Sequence, residues 1–249
     1  MSSNLNKLTE EIQFSYSYRD AYNNPFPSHI LELFQDIGSD HADKLGVGYN
    51  EMVKKNIIWV ITKNRYHIYQ DMPYDNLTLT TWPLQKGALS FDREYVIKDL
   101  NSNVIVKGTS KWCLVDINTR KLLLSKVIDY IGIEDFCTEV NFEDPYENLM
   151  EFEHNEENYL KSFDVNFSLL DHNFHLNNTH YASFILDSIK NIKGKKIIDL
   201  QINYLAECKF NDEIKTFYKE VDENTLMIEG IRQDDVVSFL SLVKIESIW

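Results

Sequence analysis

Residues 171–181 read DHNFHLNNTHY and lie between an alternating strand pattern and an amphipathic helix pattern. The stretch holds one carboxylate, three imidazoles and three amides, and loops at such junctions often carry reactive groups. In an extended backbone, side chains two residues apart point to the same side. We therefore expect Asp171, Asn173 and His175 to converge, while His172 and Phe174 point away. The stretch predicts a strand-to-helix junction that is also a candidate site.

The same order of patterns occurs twice in the chain. In the first half, the alternating run 12–18 precedes an apolar stripe over 30–45, which Ser28 can cap and which ends near Gly46. In the second half, the alternating run 163–169 leads directly into Asp171, and the stripe continues to Ile189. The stripes are followed by predicted strands at 57–62, 65–69, 77–82, 91–98 and 104–116, and at 195–206, 213–221, 226–232 and 236–245. The repeated order of strand, helix and meander predicts a degenerate internal duplication.

Matching the two halves places 20–24 (DAYNN) opposite 171–175 (DHNFH), and Gln70 opposite Glu207. The first half thus lacks the amide and the imidazole at the matched positions, and it has an uncharged Gln in place of Glu207. We expect the chemistry in the second half alone.

Composition excludes several classes of function. The formal net charge of -14 opposes a nucleic-acid surface, which needs clustered Lys and Arg. Three widely spaced cysteines fit neither a zinc site nor a disulfide framework, and indicate a reducing compartment. The polar residues 1–11 and the lack of a run of about 20 apolar residues predict a cytoplasmic protein without a membrane span.

Residues 143–157 are rich in Asp and Glu and predict a solvated crossover between the halves.

A set of motifs runs in order over roughly 14–244. In the second half it consists of Asp171-x-Asn173-x-His175-x-Asn177-Asn178-x-x-Tyr181 and of Glu207-Cys208 after Tyr204, and in the first half of 55–60 (KNIIWV), 81–83 (TWP), 110–112 (SKW) and 116–121 (DINTRK). In combination these motifs strongly resemble those of the acyl-acyl carrier protein thioesterases of plant plastids and bacteria, which are double hotdog proteins.

The resemblance implies an α+β fold of two tandem hotdog domains, each an antiparallel β-sheet wrapped around a central α-helix. We expect an N-terminal hotdog at 1–140 that provides the acyl-chain pocket, a linker at 141–157 and a catalytic hotdog at 158–249. The implied activity is hydrolysis of fatty acyl-acyl carrier protein, with the acyl chain on the phosphopantetheine arm. The implied hydrolysis requires no cofactor and no metal. The chain could also form a homodimer, which the sequence does not decide.

Position by position, the family's catalytic residues fall on Asp171, Asn173, His175 and Glu207. Glu207 can activate water, Asn173 can position the water or the carbonyl, and His175 can donate to the carbonyl oxygen or relay a proton to the thiolate. Asp171 would orient a loop amide or an imidazole. Asn177 and Asn178 are read first as helix caps, and the N–H groups near them offer a positive end for the oxyanion.

Cys208 is an alternative nucleophile, since a Cys-His-Asn arrangement could form from Cys208, His175 and Asn173. Glu207 and Cys208 are strand neighbours, so their side chains should project to opposite faces and only one should face the loop. We favour Glu207, because a free Cys is most often a small buried hydrophobe.

Four lysines follow the catalytic helix. They are a candidate docking patch for the acidic carrier protein. The alternative is that they are simply the solvated end of a helix, where positive charge is favourable. They are Lys190, Lys193, Lys195 and Lys196. Two other functions remain open at this stage: a hotdog thioesterase acting mainly on acyl-coenzyme A, and a non-catalytic acyl-chain binding protein.

Overall fold

The computed structural model describes residues 5–248. Residues 5–17 and 32–145 form one compact unit, and residues 18–31 and 146–248 form a second. The described helices are α1 (Pro27–Lys44), α2 (Tyr49–Lys54) and α3 (Tyr181–Ser188). The described strands are β1 (Leu8–Gln13), β2 (Ile57–Ile68), β3 (Asn76–Pro83), β4 (Phe91–Lys98), β5 (Val104–Asp116), β6 (Leu122–Leu123), β7 (Tyr159–Asp164), β8 (Lys195–Tyr204), β9 (Glu213–Asp222), β10 (Thr225–Arg232) and β11 (Val237–Ser247).

The first unit is an antiparallel sheet in the order β1-β3-β4-β5-β2, with β6 paired to β5. The part of α1 in this unit packs on the sheet through Phe34, whose ring stacks on Tyr95 at 4.4 Å. Gly108 of β5 makes the close approach possible, because a Cβ there would lie 2.1 Å from a Phe34 ring carbon. The helix ends as predicted, with Gly46 at φ 71.

The second unit repeats this arrangement. Its antiparallel sheet has the order β7-β9-β10-β11-β8. The helix α3 packs on it through two buried aromatic side chains: Phe184 stacks on Phe163 at 4.5 Å, and Tyr181 meets Phe239 edge-on at 5.5 Å. In both units, therefore, a helix packs on the sheet through buried aromatic side chains.

The predicted strands 12–18 and 163–169 are wrong in their second halves. The structure has short 3-10 helices at Tyr16–Tyr18 and Phe167–Leu169 instead. Tyr16 is 79% exposed and Phe167 is 69% exposed, so the aromatic alternation does not mark a buried strand face there. Ser28 also does not cap α1, because it lies inside the helix, one residue after Pro27, and proline is favoured at the first helical position.

The acidic crossover is solvated, as predicted, but its backbone is held. All its Asp and Glu side chains between 143 and 157 are exposed. In the first unit, Asn141 donates to the carbonyls of Tyr95 and Gly108 at 2.9 and 2.8 Å. In the second unit, Glu147 and Gln201 exchange two hydrogen bonds at 2.8 and 3.0 Å.

Within residues 5–248, no helix is both long enough and apolar enough to cross a membrane.

Candidate active site

The stretch 171–175 forms a tight turn and not the extended segment that the sequence suggested. The Asp171 Oδ1 atom accepts the N–H groups of Asn173 and His175 at 2.8 and 3.1 Å. Asp171 N–H donates to the carbonyl of His175 at 2.8 Å, and Phe174 has a φ of 61. A short Asp side chain can bind backbone N–H groups two residues on, which competes with extended structure. His172 and Phe174 are exposed and the other three side chains are half-buried. The Asn173 amide lies 3.4 Å from the His172 ring, so the convergence of Asp171, Asn173 and His175 stays a prediction.

The turn is attached to the loop that carries Glu207. Leu176 N–H donates to the carbonyl of Cys208 at 2.8 Å, and His175 pairs with Lys209 in an isolated antiparallel bridge. These contacts align the two segments. As a result, His175 Nε2 lies 3.4 Å from the Glu207 carboxylate, with side chains 21% and 35% exposed. A carboxylate beside an imidazole, open to solvent on one side, can activate a water molecule.

Cys208 faces away from this pair, into the core. It is fully buried. Burial raises the pKa of the Cys208 thiol. Since the thiolate is the nucleophile, this environment disfavours Cys208 in that role, and the structure brings Glu207 to His175 instead.

Asn177 and Asn178 serve the backbone at the entry to α3. The Asn177 Oδ1 atom accepts the N–H and the hydroxyl of Thr179 at 3.0 and 3.1 Å, capping the 3-10 helix Asn178–His180 that precedes α3. The carbonyl of Asn178 accepts the Tyr204 hydroxyl at 3.1 Å. The Asn177 contacts match the capping interpretation, whereas Asn178 is the first residue of the 3-10 helix and is not its cap.

The first half contains the same turn as 171–175. The Asp20 Oδ1 atom accepts the N–H groups of Tyr22 and Asn24 at 2.8 and 2.9 Å. Asp20 N–H donates to the carbonyl of Asn24 at 2.9 Å, and Asn23 has a φ of 74. The residue-by-residue match made from the sequence therefore has a structural basis. Because the aspartate builds the turn in both halves, its local role in both is to shape the backbone.

The four lysines do not form one uniform patch. Lys196 is mostly buried and pairs with Glu246 at 3.3 Å. Lys190 is exposed and its ammonium lies over the Tyr218 ring at 4.7 Å. Lys193 is exposed and Lys195 is half-buried. Lys190 and Lys193 are the two members most open to a partner.

Sequence reasoning missed Arg232, which donates from Nη1 to the carbonyl of Glu207. The only sequence signal was a charged turn, Arg232-Gln233-Asp234-Asp235, between two predicted strands. Within residues 5–248, no group of three or more His, Cys, Asp or Glu side chains could hold a metal ion.

Comparison with known proteins gives a consistent picture. The family model for the acyl-ACP thioesterase N-terminal domain matches residues 7–131, and the model for the acyl-ACP thioesterase C-terminal domain matches residues 152–241. The chloroplastic oleoyl-acyl carrier protein thioesterase of Coriandrum sativum is 26% identical over 247 residues, which cover 87% of this chain and 66% of that protein. The chain spans about half to two thirds of the length of the curated relatives it matches.

Two solved structures share the fold. An acyl-ACP thioesterase from Bacteroides thetaiotaomicron superposes with a TM-score of 0.83 at 24% identity, covering 99% of this chain and 100% of that chain. The 12:0-ACP thioesterase from Umbellularia californica superposes with a TM-score of 0.86 at 16% identity, covering 97% of each chain. These likenesses confirm the predicted α+β fold of two tandem hotdog domains.

Proposed function

The chain belongs to the acyl-ACP thioesterase family, and from that membership we propose that it hydrolyses fatty acyl-acyl carrier protein to a free fatty acid and the carrier thiol. One observation carries the assignment of the site: the Glu207 carboxylate lies 3.4 Å from His175 Nε2. The backbone on both sides is held: Asp171 accepts the N–H of His175, and the carbonyl of Cys208, next to Glu207, accepts the N–H of Leu176.

In the proposed reaction, Glu207 takes a proton from a water molecule as the water oxygen attacks the thioester carbonyl carbon. The carbonyl electrons move onto oxygen and form a tetrahedral oxyanion. Asn173 orients the water or the carbonyl through its amide. When the oxyanion collapses, the carbon–sulfur bond breaks, and His175 relays the proton from Glu207 to the departing sulfur.

Three N–H groups at the predicted oxyanion site near Asn177 and Asn178 already have partners, so they are not assigned to the oxyanion here. Those of Asn177, Thr179 and His180 donate to the Leu169 carbonyl, to Asn177 Oδ1 and to the Asn177 carbonyl. Asn177 acts as the cap of the 3-10 helix, and the carbonyl of Asn178 accepts the Tyr204 hydroxyl. Asp171 is assigned as the residue that shapes the turn.

The first half is assigned to the acyl pocket, following the family resemblance. Its turn supports this division, because Tyr22 and Asn24 occupy the places of Asn173 and His175. The limits of the predicted domains, the docking of the carrier at Lys190 and Lys193, and the cytoplasmic location remain predictions. The relative from Coriandrum sativum is described as chloroplastic.

The deciding experiment offers one acyl chain on two carriers, acyl carrier protein and coenzyme A, and measures the free acid released. We expect release from the carrier protein at a higher kcat/KM than from coenzyme A, and loss of release in Glu207→Gln. Equal or faster release from coenzyme A would reassign the substrate. Binding of both carriers without any release of acid would exclude hydrolysis.

For the docking lysines, the double variant Lys190→Glu with Lys193→Glu should raise KM for the carrier-protein substrate only. An unchanged KM for that substrate would count against the patch.

A further inference from the structure

The turn between β10 and β11 contacts the loop that carries Glu207. Arg232 is the last residue of β10, and β11 begins at Val237. The turn is closed by Arg232 N–H donating to the carbonyl of Val236 at 2.9 Å, with Asp235 at a φ of 62. Its conformation is therefore defined by its own backbone hydrogen bonds.

The guanidinium of Arg232 uses its three nitrogens in two directions. Nε and Nη2 donate to the two carboxylate oxygens of Asp234 at 3.0 and 2.6 Å. Nη1 donates to the backbone carbonyl of Glu207. Because the bidentate pair with Asp234 fixes the plane of the guanidinium, Nη1 is directed at that carbonyl before any substrate arrives.

The next residue of the turn, Gln233, holds the far end of the same loop. Its side-chain amide donates to Asp212 at 3.0 Å and accepts the N–H of Glu213 at 2.7 Å. Asp212 in turn accepts the N–H of Lys209 at 2.7 Å. Residues 207–213 are thus held at both ends by two consecutive residues of one turn.

The matched turn of the first half, between β4 and β5, has no such arginine. Lys98 ends β4, and the Asp99 carboxylate folds back on its own turn, accepting the N–H groups of Asn101 and Asn103 at 2.9 and 2.8 Å. The arginine therefore occurs in the half that carries Glu207 and not in the half that carries Gln70.

From these contacts we infer that Arg232 is a positioning residue that sets the backbone of Glu207 and thereby the distance between the Glu207 carboxylate and His175. The inference rests on the proposed function for its catalytic consequence. A misplacement of about 1 Å can cost on the order of a hundredfold in rate, so a side chain that holds the main chain at Glu207 affects turnover without touching substrate.

The test compares Arg232→Met with Lys86→Met. Lys86 is a matched control in the first unit, because its ammonium also donates to a backbone carbonyl, that of Ile128 at 2.7 Å, and pairs with Asp129 at 3.0 Å. The two cationic side chains are similarly exposed, at 20% and 17%. Loss of stability alone should therefore be comparable in the two variants.

We expect kcat on the acyl carrier substrate to fall about tenfold to a hundredfold in Arg232→Met, with KM within threefold of the wild type. Arg232→Lys, which keeps a cationic donor, should restore part of kcat. Lys86→Met should keep the wild-type kcat. A wild-type kcat in Arg232→Met, or an equal loss in Lys86→Met, would overturn the inference.

A second readout separates this inference from the proposed function. The NMR signals of the His175 ring should shift in Arg232→Met and stay unchanged in Lys86→Met, whether or not the wild type is active. Wild-type protein that releases no acid would refute the proposed function alone, whereas an unshifted His175 ring in Arg232→Met would refute the positioning role.

Discussion

Replacement of Asp171 separates the two roles that an aspartate can have beside an imidazole and a carboxylate. Both hydrogen bonds that build the turn, to the N–H groups of Asn173 and His175, end on the same oxygen, Oδ1. An asparagine can present an oxygen in that place. Asp171→Asn should therefore keep the turn, whereas Asp171→Ala removes both acceptors.

The magnitudes follow from the hydrogen bonds. A bond to a charged group contributes about 1.5–3 kcal/mol and a neutral one about 0.5–1.5 kcal/mol. Because Asp171 is half-buried, the lower ends apply, so Asp171→Ala should cost roughly 3 kcal/mol and Asp171→Asn roughly 2 kcal/mol. If the turn is lost, His175 moves, and kcat should fall on the order of a hundredfold in Asp171→Ala. Asp171→Asn should stay within about tenfold of the wild type.

Asp20 provides the matched control, because its Oδ1 atom makes the same two bonds at 2.8 and 2.9 Å. Urea denaturation gives the free energies of unfolding, and acid release gives kcat. Asp20→Ala and Asp20→Asn should lower stability at least as much, since Asp20 Oδ2 also accepts the Asn24 side-chain amide at 3.0 Å, but without the loss of kcat. The reasoning is refuted if Asp171→Asn is as inactive as Asp171→Ala while its stability matches that of Asp20→Asn, since the negative charge would then act on the reaction itself.

Three further predictions concern packing, protonation and the buried thiol. Gly108→Ala should lower the free energy of unfolding by about 1–3 kcal/mol through overpacking, because the new Cβ meets the Phe34 ring. The double variant Gly108→Ala with Phe34→Leu should recover part of the lost stability. Wild-type stability in Gly108→Ala alone would contradict the described packing. Burial raises the pKa of the Glu94 carboxyl to about 7 from 4.5, so the folded state holds the proton more tightly than the unfolded state, and the free energy of unfolding should fall as pH rises through that window. In Glu94→Gln, the free energy of unfolding from denaturation curves should change less with pH between 4.5 and about 7 than in the wild type. An unchanged pH dependence would contradict the raised pKa of Glu94. Cys208→Ser should keep turnover within about tenfold while lowering the melting temperature, because a buried hydroxyl replaces a thiol packed in the core; loss of turnover with unchanged stability would revive the nucleophilic role.

Local sequence determined the two turns of this protein. The hydrogen bonds from Asp20 and Asp171 reach only two and four residues along the chain, and such short-range side-chain contacts depend on residue type and spacing. This is why matching 20–24 with 171–175 identified one backbone conformation in two places. The expectation that Glu207 and Cys208 are strand neighbours is wrong, because β8 ends at Tyr204 and both residues lie in the loop that follows it. The burial of Cys208 therefore depends on how that loop packs and not on strand alternation.

The sequence was less informative where burial decides the structure. The runs ending at Tyr18 and at Leu169 alternate like strands, yet both finish in 3-10 helices. Alternation predicts a strand only if one face is covered, and whether it is covered depends on elements far away in the chain.

The tertiary structure alone decided which distant groups meet at the site. The 3.4 Å approach of His175 to Glu207 depends on the pairing of 175 with 209, and the contact of Arg232 with Glu207 joins residues 25 positions apart. A shift of one residue in strand pairing would turn each side chain to the other face. The sequence therefore identified the candidate catalytic residues, by residue type and by family resemblance. The distances between these residues, and the contact of Arg232 with the Glu207 backbone, depend on the strand register, which is set only when the chain folds.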